Sequence, residues 1–85
     1  MLEHDQTPVE KIESLYESLL EQYGEGDERE LRVAAKLLLV SLDRFRQYGG
    51  LQWPSLVREY LRIAEYEPDR FEDILRSNRG QKGDH

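Results

Sequence analysis

Cysteine is absent from the 85 residues, which removes two of the usual staples of a small domain. Without thiols there is no disulfide, no thiolate metal cage and no cysteine nucleophile. Histidine is scarce: the only two, His4 and His85, fall in chain ends expected to be disordered, where no fixed geometry would hold a general base beside a substrate. Serines 14, 18, 41, 55 and 77 therefore lack an ordered partner to activate them. Glycine-rich phosphate loops are missing as well. Gly24-Glu25-Gly26 is too short, and neither a lysine nor a hydroxyl follows it as in a P-loop. Long apolar runs are also lacking. The longest, Leu37-Leu38-Leu39-Val40, falls far short of the roughly 20 residues that cross a bilayer. The start, Met1-Leu2-Glu3-His4-Asp5, is polar and acidic where a secretory signal needs a basic and then an apolar region. These absences argue against an enzyme, a resident cofactor and a membrane span, and they lead us to expect a cytoplasmic protein.

A chain this short buries only about 60 to 65% of the surface its unfolded form exposes, so its stability margin is thin. A dimer interface would widen it.

What is present is acidic charge, unevenly placed. The net charge is −6. Residues 1 to 26 hold seven acids and one lysine, net −6; residues 27 to 50 hold four acids and five bases, net +1; residues 51 to 85 hold seven acids and six bases, net −1. An acidic surface is repelled by nucleic acid and by anionic bilayers. The first predicted helix and its flanks supply the whole imbalance. There Glu10, Glu13, Glu17 and Glu21 stay within a sector of about 80°, opposite the apolar set Val9, Ile12, Tyr16, Leu19 and Tyr23.

Start and stop signals divide the chain into four helices. Thr7-Pro8-Val9-Glu10 combines a cap, a proline suited to the first turn and a capping-box carboxylate, and predicts a helix over 8–23 that ends at Gly24-Glu25-Gly26. Asp27, with Glu30 three residues on, predicts a second helix over 28–48, stopped by Gly49-Gly50. Its main apolar stripe, Leu31, Ala34, Ala35, Leu38, Leu42 and Phe45, is expected to face the core, with Leu38 at its centre. Val33, Leu37 and Val40 extend the apolar arc beyond what a few helices cover, and are the candidates for self-association. A third helix is expected over 54–66 and a short fourth over 68–77, separated by Glu67-Pro68 because the residue before a proline disfavours helical geometry. The expected fold is an all-α bundle of three main helices and a short fourth, one domain over 7–77, with disordered tails at 1–6 and 78–85.

Three patterns bear on function. The acidic stripe has the composition of a solvated face, or of a docking surface for a basic protein groove; four carboxylates spanning about 17 Å are too few to imitate a nucleic-acid phosphate row. Tyr48 and Trp53 lie near helix ends where full burial is hard, so both are candidate partner anchors, although Trp53 is also placed to plug the bundle beneath the Gly49-Gly50 turn. The segment from the second helix to the third, with Gln52, Ser55, Arg58, Glu59 and Arg62 along its edge, has the outline of a helix-turn-helix reader. Its turn is longer than the usual three or four residues, and its arginines are interleaved with glutamates. The carboxylates Glu65, Glu67, Asp69, Glu72 and Asp73 around Pro68 lack the spacing of a calcium loop and suit a helix start. The expected function is a non-enzymatic protein-interaction module, an adaptor or regulator that forms a homodimer and binds a protein partner, with a nucleic-acid-binding regulator as the alternative.

Overall fold

A computed structural model describes residues 5–80. It contains α1 (Pro8–Tyr23), α2 (Arg29–Tyr48), α3 (Trp53–Tyr66) and α4 (Pro68–Asn78), with one 3-10 turn, Gly50–Gln52, leading into α3. The fold is the all-α small bundle that the start and stop signals predict.

Local chemistry sets the ends of α1. Thr7 Oγ1 accepts from Glu10 N at 3.2 Å, and Glu10 Oε1 accepts from Thr7 N at 2.8 Å, so the capping box closes as expected. At the other end Gly24 takes φ +69°, and its N–H bonds back to the carbonyls of Leu20 and Glu21. α2 starts differently from expectation. Glu28, not Asp27, occupies the cap position, with φ +59° and no side-chain cap bond. The next residue explains the tight turn. Arg29 Nη1 donates to the carbonyl of Leu20 at 3.3 Å and to that of Gly24, supplying the cation that the last turn of α1 lacks.

The helices form a ring. α1 packs on α2, α2 on α3, α3 on α4, and α4 returns to α1; among the described residues neither diagonal pair, α1 with α3 or α2 with α4, comes into contact. A ring without diagonal contacts has no shared centre. Leu20, Val33 and Ile63 are the only buried hydrophobic residues described. The radius of gyration is 15.2 Å, against about 12 Å for a compact chain of this length.

This arrangement reverses the expected assignment of the α2 faces. α1 sits beside the N-terminal half of α2: the Tyr16 hydroxyl donates to the Glu30 carbonyl at 3.3 Å, and Lys36 Nζ lies 5.9 Å from the centre of the Tyr23 ring. Val33, expected to face a partner, is therefore core at 1% exposure, and Leu37 is half-buried. Of the three expected self-association residues only Val40 is exposed. Conversely, Leu31 is 65% and Leu38 56% exposed, and Ala34 and Ala35 are exposed beside them. Only the C-terminal part of the stripe meets α3, where the Phe45 and Tyr60 rings lie 6.4 Å apart and tilted by 55°.

α4 runs one residue further than expected, to Asn78, whose Nδ2 donates to the Ile74 carbonyl at 2.7 Å. Arg79 is half-buried, so the ordered chain reaches past the expected boundary at 78. The remainder of both expected tails, 1–4 and 81–85, lies outside the described residues, as do His4 and His85.

Gly49 makes the α2–α3 corner possible. A Cβ there would stand 2.6 Å from the Phe45 carbonyl oxygen and 2.8 Å from Trp53 Cβ, contacts that backbone must move to relieve. Gly49→Ala is expected to destabilise the fold by about 1 to 3 kcal/mol, read as a lower urea midpoint. Gly26, with open space around its Cβ position, is the control, and equal effects of alanine at both positions would contradict this account of the corner.

Candidate interaction surfaces

The acidic stripe of α1 is divided by its neighbours. Glu10 is committed to the capping box. Glu13 receives Arg79, with Nε donating to Oε2 at 2.9 Å and Nη2 to Oε2 at 2.6 Å, a tie between the first helix and the end of the last. Glu13 raises the pKa of the Arg79 guanidinium further above its ordinary value. Glu17 and Glu21 are exposed and make no ion pair among the described residues. The stripe thus presents two unpaired carboxylates, not four.

The arginines of α3 and α4 are used at a corner. Arg62 Nη2 meets Glu59 Oε2 at 2.8 Å and Arg62 Nη1 meets Glu67 Oε2 at 2.7 Å, while Arg70 Nη1 reaches Glu67 Oε1 at 3.3 Å. Glu67 is the residue between the two helices, so these pairs cross the joint itself. The Arg62 and Arg70 guanidiniums, Arg62 first, hold the Glu67 carboxyl below its usual range, and Arg62 does the same to Glu59. Arg58 is exposed and free of such pairs among the described residues. Of the edge that outlined a nucleic-acid reader, its second arginine is therefore already occupied.

The third surface is apolar and lies along the α2–α3 hairpin. A groove of about 540 Å³ is lined by Leu38, Ser41, Leu42, Phe45, Tyr60 and Leu61, with Val57 at its floor. A second groove of about 500 Å³ continues it past Ser41 and Phe45 toward Val40, Tyr48 and Leu56. Tyr48, expected as an anchor, is 81% exposed at this rim. Trp53 is half-buried beside Leu39 and Leu42 on the other side of the hairpin, which matches its alternative as a plug under the glycine turn. Leu38, Tyr60 and Leu61 carry this surface, and sequence periodicity had assigned Leu38 to the core. Periodicity reports that a face is apolar, and not which neighbour covers it.

No family model, curated protein or solved structure matches the chain. Among the described residues no helix is long and apolar enough to cross a membrane, and no group of three or more acidic or histidine side chains is placed to hold a metal ion.

The corner at Glu67 has a signature in pH. A carboxylate whose folded pKa is depressed adds stability above its unfolded value, about 4.3 for glutamate, and loses it as the pH falls through the lower folded value. Glu67→Gln should therefore lower the urea midpoint at pH 7, and the difference from wild type should shrink toward zero at pH 3. An equal difference at both pH values would remove the ionised corner as its cause.

Proposed function

We propose that this chain is a non-enzymatic protein-interaction module, an adaptor or regulator, that self-associates through the apolar face of the α2–α3 hairpin. One observation carries the reading. Thirteen large hydrophobic side chains are exposed among the described residues, against three that are buried. Scattered exposed leucines are ordinary, but here Leu38, Tyr60 and Leu61 are contiguous around one groove, and contiguous patches mark interaction sites.

Area gives the scale. The chain exposes 7023 Å², where a compact protein of 10.1 kDa would expose about 5,300 Å². The difference, about 1,700 Å², includes the chain ends; a standard interface takes about 800 Å² from each partner.

The acidic stripe offers less support as the principal docking site, because Glu10 and Glu13 already serve the fold. A nucleic-acid reader has less still: Arg62 is held by two glutamates, and the net charge is −6.

Multi-angle light scattering at high micromolar concentration is expected to give the mass of a dimer. The doubly substituted Leu38→Glu, Leu61→Glu chain should run as a monomer and keep its helical circular dichroism, since both side chains already face solvent within one chain. A wild-type chain that stays monomeric at that concentration would end the self-association reading.

A further inference from the structure

Along the exposed side of α2 the residues Leu31, Ala34, Leu38, Ser41, Phe45 and Tyr48 follow one another at spacings of three and four. That is the heptad seam of a helix that packs against another helix, and it runs the length of α2, about 26 Å at 1.5 Å per residue. None of the six is charged; Arg29, Arg32, Lys36, Asp43 and Arg46 lie on the other sides of the helix, and Arg44 edges the seam at the second groove. Five of the six are exposed, and the sixth, Phe45, is half-buried.

We infer that the occupant of this seam is α2 of a second copy of the chain, laid antiparallel about a two-fold axis that passes between Leu39 and Val40. The inference rests on the self-association reading and gives it a geometry. Two features select the antiparallel arrangement. The first is size. Bulky and small residues alternate along the seam, and the two-fold sets Leu38 against the partner's Ser41 and Phe45 against the partner's Ala34, with Leu31 against the partner's Tyr48 at the ends. Every central layer then pairs one large side chain with one small one, which keeps the helices at an even distance. A parallel pair would instead stack Phe45 on Phe45 and Ala34 on Ala34, alternating collision with void.

The second feature is the position of α3. Within one chain α3 flanks the seam from Leu38 onward, where its Leu56, Tyr60 and Leu61 wall the two grooves; Leu31 and Ala34, toward the N-terminus, line neither groove. Antiparallel pairing brings the N-terminal half of each seam onto the grooved half of the other, so the partner's Leu31, Ala34 and Leu38 fill the space between α2 and α3, twice, by symmetry. Parallel pairing would oppose groove to groove and α3 to α3.

The absence of cysteine makes the geometry directly testable, because every introduced thiol is unique. Ser41→Cys lies within about one turn of its symmetry mate, so a short bis-maleimide should link most of the dimer. Leu31→Cys lies about 26 Å along the axis from its own mate and should remain unlinked. The double variant Leu31→Cys, Tyr48→Cys should link again, and only between chains, because the two positions within one chain are equally far apart. Circular dichroism on each variant establishes that it is folded. A dimer in which Leu31→Cys alone links as well as Ser41→Cys is parallel and overturns this inference while leaving self-association intact. A dimer in which Ser41→Cys does not link places the interface elsewhere and also overturns it. A chain that is monomeric in light scattering fails at the earlier step.

Discussion

A ring of four helices without diagonal contacts cannot bury its own apolar surface, and most other properties of this molecule follow from that constraint. Each helix touches two neighbours, so each has one flank occupied on either side and nothing in the middle to pack against. The three buried residues, Leu20, Val33 and Ile63, belong to three different helices. A compact domain collects its large side chains around one centre. Here the widest apolar arc, on α2, is split between α1, α3 and open solvent.

With little core to set the angles, polar ties act at the joints between consecutive helices and at the closure of the ring. Arg29 draws the end of α1 to the start of α2 by donating to the Leu20 and Gly24 carbonyls. Gly49 lets the α2 terminus and the first turn of α3 come together. The Arg62, Glu67 and Arg70 set spans the third joint, and Arg79 with Glu13 closes the last contact back to α1. All of these ion pairs are partly exposed, where single pairs contribute little to stability and are screened by salt. Their role is to select an arrangement.

Sequence signals identified the local structure well because those signals are local. Thr7, Pro8, Gly24, Gly49 and Pro68 each act through the backbone of their own turn, so the number, order and approximate limits of the helices could be read without tertiary knowledge. Two local readings missed, and for local reasons: Arg29 reaches out of its own helix and displaces the expected cap at Asp27, and Arg79 finds a partner 66 positions away in Glu13, which no nearby residue announces. The faces of α2 were less legible. Val33 and Leu31 are both apolar and two positions apart, so they point to different sides; deciding which is core requires knowing where α1 docks. The acidic stripe was divided in a way that the sequence does not show, since Glu13 and Glu17 are indistinguishable by charge and spacing, and only one of them meets an arginine. The seam was written in the chain as the spacing of Leu31, Ala34, Leu38, Ser41, Phe45 and Tyr48, but four of the six belong to the stripe that periodicity assigns to the core.

If the missing half of the packing is supplied by a second copy, folding and association become one equilibrium. A ligand or partner that binds only the folded chain stabilises it by an amount that grows with the logarithm of its concentration. For a homodimer that partner is the protein itself. The apolar face that the ring leaves open is then where α2 of another chain would pack, along the α2–α3 grooves. The uncharged seam, set between charged flanks, would limit which surface two copies present to one another. The same feature that makes the isolated chain marginal, an apolar helix face with no covering neighbour, is what would make the assembled pair specific.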